Sequence, residues 1–329
     1  MTQIQPQKNG HAATAPVRRV TIASITKAPK KRPLRVLVHG QPGVGKTTFA
    51  ADAPAPVFIC PEDGIPGSLD VARFPSPDGG WRWQDILDAI TELATGQHAF
   101  STLVFDTLDW IEPLIWEHVC KEDGVSSIEK VGGGYGKGYQ AALDCWRQLL
   151  AYLERLSATK GMNIIMLAHS AIRNFKDPQS EGYDRWELKL NKFPAGLVKE
   201  WCDDVLFAQH EASVATDSRT KRKRGVSTGA RIARTVWDAA FDAKNRNGLP
   251  EEIPLSWSEY AAAIEAGAPA ETVALLEEIR RKAADLGGEL EKQAAAAIER
   301  ANGDPLKLSK LNDWANAKLA LSTNTKGSE

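Results

Sequence analysis

The segment Gly40-Gln41-Pro42-Gly43-Val44-Gly45-Lys46-Thr47 sets six residues from its first glycine to the glycine before a Lys-Thr pair. It fits G-x-x-x-x-G-K-[ST] without a mismatch. An apolar run, Leu34 to Val38, precedes it and a helix-competent stretch to Asp52 follows, the strand–turn–helix context a phosphate loop needs. The residue types suit the chemistry. Glycines let the backbone wrap a β-phosphate with its N–H groups turned inward, and the start of the following helix adds a positive dipole end. Lys46 can reach the β- and γ-phosphates, and Thr47 offers a hydroxyl to magnesium. Residues 40–48, through Thr48, are therefore expected to bind a nucleoside triphosphate, ATP, with Mg2+.

Such a site needs a carboxylate across the metal water shell from Thr47. Asp106 ends the apolar run Leu103-Val104-Phe105 and fills that place, with Asp109 as the substitute. A further carboxylate, Glu62, follows Val57-Phe58-Ile59-Cys60-Pro61, with Asp63 beside it. An acid at the C-terminal end of a strand next to a phosphate loop faces the crevice where open α/β sheets bind ligands.

The elements that must position these groups alternate. Runs at Leu34 to Val38, Pro56 to Cys60, Ser101 to Phe105 and Asn163 to Ala168 read as strands, while Trp83 to Thr95 and Ala141 to Ser157 have helical periodicity. This predicts an α/β fold with a mostly parallel, twisted sheet covered by helices. Asp204 to His210 and Ala230 to Trp237 read as strands of a long hairpin, and Glu252 to Trp257 as a last short strand. Beyond Ser258 the chain is rich in Ala, Glu, Leu and Lys, and Gly287-Gly288 and Gly303-Asp304-Pro305 divide it into about three helices. The expected organisation is a disordered basic arm over 1–31, a catalytic core over 32–258, a small helical module over 259–320 and a frayed tail over 321–329. The arm reads as a solvated tail, or as a contact for an acidic polymer.

Composition narrows the classes. The 329 residues are 43% hydrophobic, enough for one substantial domain and an appendage. A net charge of −1 gives no global field toward nucleic acid, so such contacts need local patches. Cys60, Cys120, Cys145 and Cys202 form no C-x-x-C pair, which offers neither a zinc site nor a disulfide framework. The apolar runs are too short to span a bilayer, and no secretory signal is evident. A cytoplasmic protein without membrane contact is expected.

Beyond the phosphate loop, the chain resembles the RecA/DnaB-type ATPase core, and more closely the phage-encoded RecA-like ATPases of the Sak single-strand-annealing group, over roughly residues 33–257. The resemblance implies that Glu62 polarises the attacking water. It implies that His169, after the strand Asn163 to Ala168, senses the γ-phosphate where the family usually has glutamine. Asp242-Ala243-Lys244-Asn245-Arg246 resembles the Lys-x-Arg segment that such subunits insert into a neighbour's site, which makes activity depend on a homo-oligomer, ring or filament. Loops fall where the family binds single-stranded DNA. They offer Tyr135, Lys137 and Tyr139 in a glycine-rich stretch, then Arg173, Lys176, Arg185 and Trp186, then Arg219, Lys221, Arg222, Lys223 and Arg224, the last five being cations within six residues. The function implied is a DNA-stimulated ATPase promoting annealing or strand exchange in phage recombination in the bacterial host cytoplasm. A replicative helicase or helicase loader, and a weakly hydrolysing assembly switch, share the same core motifs. A small-molecule kinase fits less well, because the chain has no evident lid. The helical module reads as a packing element or a docking site for a partner such as a single-strand-binding protein.

Overall fold

The structure is a computed structural model that describes residues 22, 25, 32–62, 64–176, 181–216, 223–267, 270–301 and 305–326, with side chains not described over 212–228, 270–274, 277, 299, 300, 305, 306 and 320–326. The first half of the core runs β1 (Arg35–Gly40), α1 (Lys46–Ala51), β2 (Pro56–Ile59), β3 (Ala72–Arg73), α2 (Trp83–Thr95), β4 (Thr102–Phe105), α3 (Leu108–Glu122) and α4 (Lys137–Lys160). The second half runs β5 (Asn163–Phe175), β6 (Tyr183–Leu188), α5 (Lys192–Trp201), β7 (Asp204–Thr216), β8 (Lys223–Arg234), β9 (Lys244–Asn245) and β10 (Glu252–Pro254). Helices α6 (Trp257–Ala266), α7 (Ala270–Leu286), α8 (Gly288–Ala301) and α9 (Pro305–Lys326) follow.

The strands form one sheet in the order β10-β8-β7-β1-β5-β4-β2-β3, with β6 on β5 and β9 on β7. From β7 to β3 every neighbour along that path is parallel, while β8 and β10 extend the sheet antiparallel. The mostly parallel α/β sheet expected from the alternation is what forms.

Its central strands are apolar on both faces because both faces are covered. In β1, Leu37 faces the layer of α2, α3 and α4, whereas Val36 and Val38 face the layer of α1 and α6. β5 alternates in the same way, with Ile164 and Met166 on one side and Ile165 and Leu167 on the other. This period of two fixes the register, since a one-residue slip would exchange the faces of every side chain.

Two boundaries and one helix differ from expectation. Helix α6 belongs to the core rather than to the module: Trp257 and Tyr260 pack edge-on against Phe49 of α1, at 5.7 and 5.9 Å between ring centres. Buried aromatics of this size stabilise by about 2–3 kcal/mol each, so α6 is a structural support of the phosphate-loop helix. The module proper is α7 to α9, with its own cluster of Leu276, Ile279, Leu308 and Leu311. Helix α9 continues through the stretch expected to fray, as far as Lys326. Helix α3 was not expected. It buries Leu108, Ile111, Ile115 and Val119 at helical spacing despite Pro113. The basic arm expected over 1–31 lies outside the described residues, save Ile22 and Ile25.

Candidate nucleotide site

The loop between β1 and α1 is shaped by two close approaches. A Cβ on Gly40 would meet the carbonyl oxygen of Ala208 on β7 at 2.3 Å, so only glycine lets the two strands lie together there. Gly45 has φ +106°, a left-handed conformation natural to glycine, and turns the chain into α1. Val44 is fully buried beneath the loop and anchors it to the core. Pro42, Gly43, Gly45, Lys46, Thr47 and Thr48 line a cavity of about 330 Å³. The exposed Gln41 contributes its carbonyl, which with that of Gly40 accepts hydrogen bonds from Lys46 Nζ at 3.1 and 3.2 Å. Burial holds the Lys46 ammonium below the usual lysine range, against the opposing pull of Asp106, Asp109 and Glu62. A buried cation whose hydrogen bonds go to two backbone carbonyls, and to no carboxylate, is placed to take up an anion in the cavity.

Asp106, Glu62 and His169 reach the same cavity from the ends of neighbouring strands. The Asp106 backbone N–H donates to Ile59 at 3.1 Å, tying the ends of β4 and β2 together. The Thr47 hydroxyl donates to Asp106 Oδ2 at 2.8 Å. A hydroxyl and a carboxylate oxygen at this separation are the hard donors a magnesium ion takes, so these residues fit the expected metal. Burial raises the Asp106 pKa, the Thr47 bond opposes the shift and the nearby Glu62 adds to it. Glu62 Oε2 accepts from the Thr107 hydroxyl at 3.2 Å. Asp63 lies outside the described residues.

Asp109 is not a second acid beside Thr47. It clamps His169, accepting from the backbone N–H and bonding ring Nδ1, each at 2.8 Å. Burial opposes ionisation of Asp109, but the His169 bonds outweigh it and hold the carboxyl below its usual range. An ionised carboxylate only accepts, so Nδ1 carries the proton and the neutral ring has a bare Nε2. His169 can therefore donate toward a phosphate only as imidazolium, unlike the glutamine expected at that place.

The strand carrying His169 does not stop there. β5 continues from Ser170 to Phe175 and pairs antiparallel with β6 as a hairpin outside the parallel sheet. Helix α3 holds both feet of this insertion. Asp109 takes His169, and one turn later the buried Glu112 accepts the Asn191 N–H at 2.9 Å. Neither carboxylate was expected in this role. The i, i+3 spacing of Asp109 and Glu112 on the apolar face of α3 is the signal that was available.

The expected DNA contacts divide. Tyr135 and Lys176 are exposed, and Lys137 is exposed with Nζ on the Gly132 carbonyl at 3.0 Å. Arg173 Nη2 donates to the Leu190 carbonyl at 2.6 Å. One expectation is corrected: Arg185 is buried and paired with Asp242 at 2.8 Å, so it is not a surface contact. Tyr139 is half-buried and packs edge-on against Trp116 at 5.8 Å. Lys221 and Arg222, like Arg219, lie outside the described residues. Lys223 and Arg224 begin β8, their side chains undescribed.

Lys244 and Arg246 stand at the end of the sheet opposite the phosphate loop. Lys244 pairs with Val205 and Asn245 with Asp204 at the start of β7, whereas Gly40 pairs with Ala208 farther along it. Neither cation is on the loop's side of its own subunit. Lys244 Nζ donates to the carbonyls of Lys199, Glu200 and Cys202, closing the end of α5. Arg246 is half exposed and 3.6 Å from Asp203.

A family model described as an AAA domain matches residues 32–247, more than half of the chain and the whole of this site. The chain belongs to that AAA-domain family. It is a P-loop ATPase, and the family match supports a general nucleotide-hydrolysing role. None of the curated proteins matches the chain. Among the described residues no helix is long and apolar enough to cross a membrane.

Proposed function

We propose that this ATPase is Mg2+-dependent and stimulated by single-stranded DNA, and that it works as a homo-oligomer that anneals or exchanges strands in phage homologous recombination. The observation that supports the reading is the continuity of β5. His169 lines the nucleotide cavity, and the same strand leaves it as a hairpin ending in the exposed Lys176. A change at the γ-phosphate is thereby passed along one strand to a surface able to meet nucleic acid phosphates. The resemblance to the Sak group supplies the recombination context.

In this reading Lys46 and the loop amides hold the triphosphate, and Thr47 with Asp106 hold the metal. Magnesium held there would neutralise charge that develops on the phosphate oxygens. Glu62 orients the attacking water. Arg246 of one subunit completes the site of the next, consistent with its exposure and its distance from its own phosphate loop. Lys244 serves within its own subunit by holding α5.

Steady-state ATP hydrolysis with and without single-stranded DNA, for wild type and Arg246→Ala, tests the proposal. DNA stimulation that disappears in the variant supports it. Hydrolysis indifferent to both DNA and the substitution overturns the DNA-stimulated, shared-site reading.

A further inference from the structure

The nucleotide cavity has one wall that the loop, Asp106, Glu62 and His169 do not supply. Arg231 lines it, from β8. Its guanidinium lies against the loop glycine before Lys46: a Cβ on Gly45 would meet Arg231 Nη1 at 2.7 Å and Cδ at 3.3 Å. The backbone aims the side chain. Arg231 pairs with His210 on β7, its carbonyl accepts from Leu255 N–H at 2.9 Å, and the β7–β8 register shifts just beyond, between His210 and Ala212. Irregularities of this kind re-aim side chains near functional sites.

Three other arginines of the sheet have acidic partners. Arg35 pairs with Glu154, Arg185 with Asp242 and Arg234 with Glu252. Arg231 is exposed and makes no side-chain hydrogen bond or ion pair among the described residues. A cation laid against a phosphate loop, without a carboxylate of its own among the described residues, is arranged for an anion from outside the chain. Sheet order says which part of that anion it meets. β8 lies on the β7 side of β1, whereas Asp106 and Glu62 come from β4 and β2 on the other side. With the γ-phosphate placed toward the acids and His169, as the proposed function has it, Arg231 is left the phosphates nearer the nucleoside.

We propose that Arg231 is a nucleotide-binding residue supplied by the same subunit, donating to the non-transferred phosphates that ATP and ADP share. The proposal rests on ATP as the occupant of the cavity. It also accounts for Gly45 from a second direction, since any side chain there would displace the guanidinium as well as strain the turn. Guanidinium donors suit phosphate oxygens in pairs, which an ammonium cannot reproduce.

The test is displacement of a fluorescent ADP analogue from the full-length protein by ADP, ATP and inorganic pyrophosphate, for wild type, Arg231→Ala, Arg231→Lys and Lys46→Ala. Arg231→Ala should weaken ADP and ATP alike by about tenfold to a hundredfold, the range for a hydrogen bond to a charged group. Pyrophosphate should weaken by a similar factor, Arg231→Lys should recover part of the loss, and the nucleotide-free melting temperature should not change. Unaltered affinities in Arg231→Ala, beside a clear loss in Lys46→Ala, overturn the proposal and leave the ATP site standing. Weakened ADP with unchanged pyrophosphate overturns it too, because the contact would then be to the nucleoside. If wild type binds neither ADP nor ATP, the ATP-site reading fails, and the role of Arg231 fails with it.

Discussion

Asp109 holds His169 at two points, the backbone N–H and ring Nδ1, each 2.8 Å from a different carboxylate oxygen. The clamp sets both the position of β5 at the cavity and the tautomer of the ring. Asp109→Asn offers the ring only a neutral amide in place of the charged acceptor. Hydrolysis should fall by about tenfold or more in kcat, on the scale of positioned acid–base groups, with nucleotide affinity nearly unchanged. Steady-state kinetics with a direct binding titration check this. An unaltered kcat would mean that the ring's orientation is irrelevant to turnover.

Glu62 should divide binding from chemistry. It lines the cavity, and among the described residues its carboxylate bonds only the Thr107 hydroxyl, at 3.2 Å. Glu62→Gln keeps the shape and removes the charge. The expected outcome is a loss of about a hundredfold or more in kcat with ATP binding retained. Asp106→Asn should instead abolish the dependence of ATP affinity on magnesium, read by titration with and without a chelator.

Lys244 and Arg246 are two residues apart and should behave differently. The Lys244 ammonium meets three carbonyls at the end of α5, at 2.6 to 2.9 Å. Lys244→Ala should cost about 1–2 kcal/mol of stability in denaturant unfolding, because charged hydrogen bonds are lost at a half-buried site. Arg246→Ala should stay within about 0.5 kcal/mol of wild type, as exposed ion pairs do. Equal destabilisation by both would contradict the division of labour between them.

His39 gives the fold a pH dependence. The ring is fully buried in β1 beside the phosphate loop, with Nδ1 2.9 Å from the Ser170 hydroxyl and Nε2 2.8 Å from the Asp242 carbonyl. Burial lowers its pKa to about 4; the Asp242 carbonyl and carboxylate oppose the shift, while Lys199 and Lys46 add to it. The unfolded chain takes up a proton near pH 6.5 that the folded chain refuses until about pH 4. The stability from the neutral ring is therefore present above pH 6.5 and lost as pH falls through that window, by up to about 3 kcal/mol. His39→Gln should flatten that part of the profile in unfolding measurements between pH 4 and 7.5. A variant with the wild-type slope would assign the dependence to other groups.

What the sequence by itself determined is what depends on neighbouring residues. The phosphate loop is contiguous, its glycines, lysine and threonine interpretable within eight positions. The same holds for Asp106 and Glu62, each read from the strand it follows, and for the parallel sheet, read from alternating periodicities. The tertiary structure decided which distant residues meet. Asp109 finds His169 across 60 positions, and Arg231 reaches Gly45 only because β8 folds back beside β7, which lies beside β1. Arg185 looked like a surface cation in its own segment, and pairing of β6 with β5 turned it inward onto Asp242. Lys244 looked like half of a projecting pair, and β9 on β7 set it over the end of α5. Local pattern fixes which face of an element is apolar. Strand order and register, settled by burial of both faces of the sheet at once, fix which polar groups share a site.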